Sequence, residues 1–183
     1  MNSTIGIGVL GAGTVGGSLI ARLVDEHAAI AGKTGLDLRV KRVAVRDLAK
    51  ARNFTVADSV LTDDRMSVID DPGIDLVVEL MGGRDLAGDL VLAALEAGKP
   101  VVTANKELVA SRGPELIAAA ERSGVPFLFE AAVGGGIPII RPLSETLAGE
   151  PVERVLGIVN GTTNFILTRM AEDNADYGES LAE

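Results

Sequence analysis

The sequence contains no cysteine and very few aromatic residues. Its 183 residues include no Cys, no Trp, one Tyr and four Phe. Without a thiol the chain can form no disulfide, no thiolate metal site and no cysteine-based covalent intermediate. Because 47% of the residues are hydrophobic, a core can still be built, from Val, Ile, Leu and Ala. The lack of cysteine fits a reducing compartment, and we expect a cytoplasmic protein.

Positive charge is also scarce, and long apolar runs are missing. The chain carries 17 Lys and Arg against 26 Asp and Glu, a net charge of −9. A surface of this sign repels phosphate backbones, so we expect no nucleic-acid partner. No apolar run approaches the roughly 20 residues that span a bilayer, so we expect no membrane partner either. The length suits one domain of ordinary size with a remnant of a second.

Apolar runs of strand length alternate with helical patterns along most of the chain. This alternation predicts an α/β fold, a Rossmann-type doubly wound parallel sheet with helices on both faces. Residues 47–70 are polar and mixed, and we assign them only a short helix and loops. We place the end of this first domain at residue 132. The predicted strands are 5–10, 38–45, 74–80, 100–104, 125–130 and 153–159, and the predicted helices are 14–26, 86–96, 107–122, 139–147 and 162–171.

A glycine-rich turn follows the first predicted strand and opens a helix. Its spacing is G-x-G-x-x-G, at Gly11, Gly13 and Gly16. In such turns the first glycine permits the tight bend, the second lets a pyrophosphate approach, and the third lets helix and strand pack closely. The helix N-terminus then offers free N–H groups to the phosphates. The pattern predicts a dinucleotide site, and the alternative is a glycine turn without a ligand.

The residues after the second predicted strand bear on the choice of coenzyme. An acidic residue there binds the ribose hydroxyls of NAD, whereas an arginine accommodates the 2′-phosphate of NADP. Arg46 stands at this place, with Lys50 and Arg52 shortly after it. We therefore expect NADP, with NAD use possible. The alternative is a solvated basic start of a helix, which the neighbouring Asp47 leaves open.

A lysine follows the fourth predicted strand at the edge where ligands bind in open parallel sheets. Lys106 near a nicotinamide could bind a substrate carboxylate or share in proton transfer to a carbonyl oxygen. A cation is electrostatically disfavoured at a helix N-terminus, which favours this role over an ordinary surface lysine. Glu79, which ends the third predicted strand, is a second candidate for this edge.

Four stretches in order carry a family resemblance. They are GAGTVG at 11–16, TANKELVA at 103–110, FEAAVGGGIPII at 129–140 and GIVNGTTNFIL at 157–167. Together they resemble homoserine dehydrogenase, which reduces L-aspartate 4-semialdehyde to L-homoserine with NAD(P)H in threonine, methionine and isoleucine biosynthesis. The resemblance covers essentially the whole chain, and the last two motifs are more specific than the glycine turn. Aspartate-semialdehyde dehydrogenase is excluded because its acyl-enzyme route needs a cysteine.

The resemblance implies roles for particular residues. It implies a small-molecule substrate, a homodimer, and an α+β catalytic and dimerisation domain that begins at residue 133. Lys106 would support catalysis beside the nicotinamide. The implied coenzyme residues are Gly11, Gly13, Thr14, Val15, Gly16, Arg46, Thr103, Asn105 and Lys106.

The two later motifs imply a sodium ion and a substrate contact. In the family, main-chain carbonyls bind sodium, which corresponds here to Glu130, Val133, Gly135 and Ile137. Hard cations do prefer oxygen ligands, although a plain glycine hinge is the alternative. The turn at Asn160, Gly161 and Thr162 would face the substrate, and the alternative is a purely structural helix cap at Thr162.

One departure from the family pattern concerns the end of the chain. The family carries an acidic substrate segment and a proton-donor lysine further on, but no Lys follows Arg169 here. We therefore expect a truncated member, with residues 133–183 as the start of the second domain. Such a chain would bind NADP(H) but reduce the aldehyde negligibly. The alternative is a non-catalytic dinucleotide-binding module or sensor.

Overall fold

The computed structural model describes residues 4–157 and 160–182. Its strands are β1 (Thr4–Leu10), β2 (Asp37–Ala44), β3 (Leu61–Thr62), β4 (Leu76–Glu79), β5 (Val101–Thr103) and β6 (Phe127–Leu128). All pair in parallel, in the order β3-β2-β1-β4-β5-β6. This is the doubly wound order, in which the direction of winding reverses between β1 and β4. The predicted Rossmann-type sheet is confirmed.

Helices cover both faces of the sheet. The helices of the described residues are α1 (Thr14–Asp25), α2 (His27–Thr34), α3 (Met66–Asp70), α4 (Asp85–Glu96), α5 (Lys106–Ser123), α6 (Gly161–Glu172) and α7 (Tyr177–Ala182), of which α6 and α7 contact each other. Short 3₁₀ turns lie at Asp58–Val60, Glu130–Ala132 and Gly134–Gly136, and a π-helical turn lies at Pro142–Thr146. Among the described helices none is long and apolar enough to cross a membrane.

The core has two layers because neighbouring strand residues point to opposite faces. On β1, Val9 packs in the layer that includes Ile20 of α1. The next residue, Leu10, packs in the layer that includes Leu95 of α4 and Leu116 of α5. All five side chains are completely buried. Burial on both faces is typical of parallel sheets and explains the unbroken apolar runs in the sequence.

Two elements in the first half of the chain were not predicted from the sequence. The segment between the predicted helix 14–26 and the predicted strand 38–45 contains a second helix, α2, which was not predicted. Gly35 ends that helix, in the left-handed conformation at φ 73°. In the stretch 47–70 a short helix is present as predicted, α3, and the strand β3 is an element that was not predicted. Since β3 has two residues and pairs only with Val43 and Ala44, it is too short to show a periodic pattern.

The predicted strand at 153–159 is wrong for residues 153–157, which are irregular. Residues 158 and 159 lie outside the described residues. A strand needs a neighbour for its backbone hydrogen bonds, and no described strand pairs with this segment. Its apolar residues Val155 and Leu156 are instead 62% and 84% exposed. The next prediction, a helix at 162–171, is confirmed as α6.

Burial changes sharply along the chain. Most buried residues belong to the sheet and to the helices on its two faces. From residue 133 onward, only Ile166 and Ser180 are buried among the described residues. Large apolar side chains such as Ile137, Phe165 and Leu167 are exposed there.

Candidate coenzyme site

The glycine turn lies at the carboxyl ends of three adjacent strands. Gly11 N donates to Ala44 O at the end of β2 (2.9 Å), and Leu80 N donates to Leu10 O (2.8 Å). Gly11 has φ 98°, and a Cβ built on it would lie 2.8 Å from Leu80 O. Both the conformation and the crowding therefore require glycine at this position. The turn lies where the winding of the sheet reverses, which is the usual ligand position in such folds.

Gly13 and Gly16 differ in what a side chain at each position would meet. A Cβ on Gly16 would collide with the carbonyl oxygen of Gly11, so this glycine lets α1 pack against the turn. A Cβ on Gly13 would meet no atom within 4 Å. Nothing within the described chain therefore requires glycine at position 13. The open space beside its backbone fits the approach of a pyrophosphate.

The N-terminus of α1 has the properties of an anion site. Gly13 is the N-cap, no side chain caps the helix, and the first turn contains no acidic residue. Thr14 and Val15, the first two helical residues, are exposed. The first N–H groups and the positive end of the helix dipole are therefore available to a phosphate group.

The charged residues after β2 differ in whether the loop itself uses their side chains. The Arg52 guanidinium donates to the carbonyl oxygens of Lys50 (2.7 Å), Leu48 (3.2 Å) and Asp47, so it stabilises its own loop. The Asp47 carboxylate accepts from Ala49 N (2.9 Å) and is also used within the loop. Arg46 is exposed, and in the described part of the chain it forms no ion pair. Arg46 is thus the arginine at this corner that can bind a ligand phosphate.

Buried polar residues connect the ends of β4 and β5. Thr103 Oγ1 donates to Glu79 Oε2 (2.6 Å) and accepts from Asn105 N (3.0 Å). Glu79 Oε1 accepts from Met81 N (2.7 Å) and Gly82 N (3.3 Å). These side chains are predicted only as separate candidates. Their connection was not predicted, because it joins residues 24 positions apart.

Asn105 and Lys106 begin α5 at this same edge. Asn105 is 7% exposed, and its Oδ1 caps the helix by accepting from Leu108 N (3.1 Å). Its Nδ2 donates to Gly83 O (2.6 Å), on the turn after β4. Asn105 therefore joins two loops of the site. Lys106 is the first residue of α5 and is exposed.

The predicted sodium ligands lie in consecutive tight turns after β6. The carbonyls of Glu130 and Val133 accept long backbone hydrogen bonds of 3.2 Å from Val133 N and Gly136 N. No hydrogen bond to the carbonyls of Gly135 or Ile137 is formed among the described residues. Among those residues, His, Asp and Glu side chains also form no cluster suited to a metal ion. A sodium site here stays a prediction that rests on main-chain oxygens.

The Glu130 side chain has a structural role that was not predicted. Its carboxylate accepts from the backbone N–H groups of Ile139 (2.5 Å), Ile140 (2.9 Å) and Arg141 (2.8 Å). It therefore caps the helical segment that includes Pro142–Thr146. The N–H groups of Arg141, Ile139 and Ile140 lower the pKa of Glu130 from its ordinary value of 4.5, against the opposing effect of desolvation.

We predict that this cap weakens in acid. A carboxyl whose pKa is lowered in the folded state stabilises above its ordinary pKa, and that contribution is lost as pH falls through the folded pKa. Amide exchange at Ile139, Ile140 and Arg141 should therefore accelerate relative to its intrinsic rate as the pH falls below about 4.5, the ordinary pKa of this carboxyl. In Glu130→Gln this pH dependence should disappear, whereas Glu153→Gln should retain it. Identical profiles for Glu130→Gln and the unaltered chain would contradict the cap.

The predicted substrate turn forms a helix cap, through Asn160 and not Thr162. Asn160 Oδ1 accepts from Thr163 N (2.8 Å) at the start of α6. Gly161 and Thr162 are the first two residues of the helix, and both are exposed. In the part of the chain that the structure describes, no hydrogen bond or ion pair joins this turn to Lys106. The substrate role of the turn stays a prediction.

The strand order, the glycine turn and the uncapped helix N-terminus define a dinucleotide-binding domain of the Rossmann class. A family model for the homoserine dehydrogenase NAD-binding domain matches residues 11–130. A second family model, for homoserine dehydrogenase, matches residues 138–183. The chain therefore belongs to the homoserine dehydrogenase family.

Similar proteins agree with this assignment. The chain is 48% identical over 181 residues to homoserine dehydrogenase of Corynebacterium glutamicum, covering 99% of this chain and 40% of that protein. Identity to the Synechocystis enzyme is 47%, covering 97% of this chain and 41% of that protein. The chain thus spans about 40% of the length of these curated relatives.

Solved structures show the same similarity. A homoserine dehydrogenase from Thiobacillus denitrificans is 45% identical, with a TM-score of 0.80, over 98% of this chain and 42% of that one. A hyperthermophilic archaeal homoserine dehydrogenase in complex with NADPH is 25% identical, with a TM-score of 0.73. That comparison covers 98% of this chain and 60% of the archaeal chain.

Proposed function

We propose that this chain binds NADP(H) along the carboxyl edge of its sheet, as the coenzyme-binding part of a homoserine dehydrogenase. The observation that carries the proposal is the open space at Gly13, beside the uncapped N-terminus of α1. Glycine there is unexplained by packing within the described chain, but it is explained by a pyrophosphate. Membership of the family and the NADPH complex of the archaeal relative support this assignment.

The preference for NADP over NAD is assigned to Arg46. A guanidinium at the end of β2 binds the 2′-phosphate of NADP by charge-assisted hydrogen bonds. Asp47, which could favour NAD, is occupied by its own turn through Ala49 N. The coenzyme would contact Gly11, Gly13, Thr14, Val15 and Gly16 through its pyrophosphate.

The proposed reaction is the reduction of L-aspartate 4-semialdehyde to L-homoserine. The bound coenzyme would supply the hydride for the aldehyde carbon, and the carbonyl oxygen would take up a proton, a transfer in which Lys106 could share. Lys106, with Thr103 and Asn105 beside it in the chain, would support catalysis by orienting the substrate at this edge. Asn160, Gly161 and Thr162 would contact the substrate. The absence of cysteine fits a reducing compartment, and we place the protein in the cytoplasm.

The second part of the chain is assigned by the same reasoning. We assign residues 1–132 to the NAD(P)-binding domain and residues 133–183 to the beginning of a catalytic and dimerisation domain. The low burial from residue 133 onward supports this division, because the residues described in this part form no core of their own. Exposed apolar residues of this part suit a homodimer contact. Main-chain carbonyls of Glu130, Val133, Gly135 and Ile137 would bind sodium.

Titration with coenzyme tests the central proposal. At about 100 times Kd, NADPH should raise the melting temperature by roughly 5–10 °C, since a ligand of the folded state stabilises it by mass action. The fluorescence of bound NADPH should change in the same titration. NADH should require a higher concentration. A melting temperature and a fluorescence signal that do not respond to either coenzyme would contradict the proposal.

A further inference from the structure

We propose that Glu79 is a positioning residue that holds the nicotinamide side of the proposed coenzyme site in shape. The inference rests on the proposed function. Its starting point is an unusual burial: Glu79 and Thr103 are both 0% exposed, at the ends of β4 and β5. A buried carboxylate is costly unless hydrogen bonds satisfy it. Here every partner belongs to the edge of the sheet where ligands bind.

The hydrogen bonds of Glu79 form part of a closed ring. One carboxylate oxygen binds the turn after β4, and the other binds the Thr103 hydroxyl. Thr103 accepts from the backbone of Asn105, and the Asn105 side chain donates back to Gly83 of the same turn. The ring therefore ties the turn 81–83 to the first residues of α5.

The ring requires a carboxylate in particular. Three donors point at Glu79, namely Met81 N, Gly82 N and the Thr103 hydroxyl. The hydroxyl donates its one proton to Glu79 and accepts from Asn105 N. A glutamine amide could keep the contact only in reverse, with its N–H₂ group donating to the Thr103 oxygen. Even this isosteric change would therefore leave the buried hydroxyl proton without its acceptor in the ring.

The ring acts on two parts of the proposed site. Gly82 and Gly83 both have positive φ, 75° and 78°, one of several conformations open to glycine, and the hydrogen bonds from Met81 N and Gly82 N to Glu79 hold the turn in it. The same turn begins at Leu80, whose carbonyl lies against Gly11 of the glycine turn. On the other side, Lys106 follows Asn105 directly. Glu79 thus supports both walls of the crevice on the β4 and β5 side, without being exposed to the ligand.

The geometry predicts an effect limited to one half of the coenzyme. In doubly wound folds the two mononucleotide-binding halves lie on either side of the reversal point. Arg46 follows β2, on the adenosine side, whereas the ring joins β4 and β5. Loss of the ring should therefore weaken NADPH but leave adenosine 2′,5′-bisphosphate, which lacks the nicotinamide half, unaffected. General loosening of the fold would weaken both ligands.

The test compares these two ligands in the full chain. Glu79→Gln should raise the Kd of NADPH about tenfold, the loss expected for one hydrogen bond, and change that of the bisphosphate less than about twofold. Thr103→Val, which opens the ring from its other side, should behave alike. The double variant should bind NADPH no more weakly than either single variant, because both substitutions break the same ring. Glu115→Gln, on the outer surface of α5, is the control and should bind both ligands normally.

Equal weakening of both ligands, an unchanged NADPH affinity, or independent effects of the two substitutions would overturn the proposal. Amide exchange at Met81 and Gly82 provides a measurement without ligand. It should accelerate about tenfold or more in Glu79→Gln and not in Glu115→Gln. If the unaltered chain binds neither ligand, the proposed function fails. Unchanged amide exchange at Met81 and Gly82 in Glu79→Gln would separately overturn the hydrogen-bonded ring. If Glu79→Gln does not fold, Thr103→Val gives the same comparison.

Discussion

Gly13→Ala is expected to raise the Kd of NADPH about 10- to 100-fold while leaving the stability of the free protein unchanged. The surroundings of Gly13 are the reason both for the weaker coenzyme binding and for the unchanged stability. A Cβ at Gly13 meets no atom within 4 Å, and its φ of −77° suits any residue. The folded chain therefore accepts alanine without strain. The methyl group would occupy the space that a pyrophosphate needs beside the backbone.

Two further glycines make this experiment sharper. Gly32, inside α2, is also open to solvent, so Gly32→Ala should leave the NADPH affinity unchanged. It should raise stability slightly, by about 0.5–1 kcal/mol, because alanine favours a helix interior. Gly16→Ala should instead lower stability by about 1–3 kcal/mol, because its Cβ collides with the Gly11 carbonyl.

The measurements are thermal unfolding without ligand and NADPH titration by fluorescence. Normal NADPH affinity in a folded Gly13→Ala protein would show that the open space holds no pyrophosphate. A large loss of stability in the same variant would show that position 13 is crowded in solution.

Arg46→Met is expected to raise the Kd of NADPH about 10- to 100-fold and to leave that of NADH within about twofold. The 2′-phosphate distinguishes the two coenzymes, and a charge-assisted hydrogen bond to it would be lost only for NADPH. Methionine keeps much of the apolar stem of arginine, which limits any effect on packing. Arg46 is exposed and forms no ion pair in the described residues, so its replacement should not unfold the loop.

Matched variants separate this effect from general changes in charge. Lys33→Met removes one positive charge from the exposed surface of α2 and should not change the affinity for either coenzyme. Arg52→Met should loosen the loop, because Arg52 donates to three of its carbonyls, and should weaken both coenzymes alike. Equal losses of NADPH and NADH in Arg46→Met would contradict a specific contact with the 2′-phosphate.

The residues of the site differ in how far a sequence can predict them. Gly11, Gly13 and Gly16 lie within six residues, so their spacing alone predicts a turn between strand and helix. Glu79, Thr103 and Asn105 show no such pattern, since their hydrogen bonds depend on β4 and β5 being neighbours in the sheet. Sequence spacing predicts each as a candidate near the edge. Only the pairing of the strands shows that they form one ring.

At residues 153–157 the sequence predicts an element that the structure does not contain. Its apolar residues have the composition of a strand, and the sequence predicts one there. A strand exists only where a second strand accepts its hydrogen bonds, and that partner is a tertiary property. The helix that follows is predicted correctly, because its hydrogen bonds are local and Asn160 caps it.

Local and periodic information was therefore enough for the fold class, the glycine turn, most helices and the family of this chain. Helix hydrogen bonds, turn conformations and alternating burial all depend on residues close together in the chain. Tertiary structure decided which glycine faces open space, which arginine remains able to bind a ligand, and what satisfies the buried Glu79. Each of these depends on atoms brought together from distant positions, and their distances are set only when the sheet and helices pack.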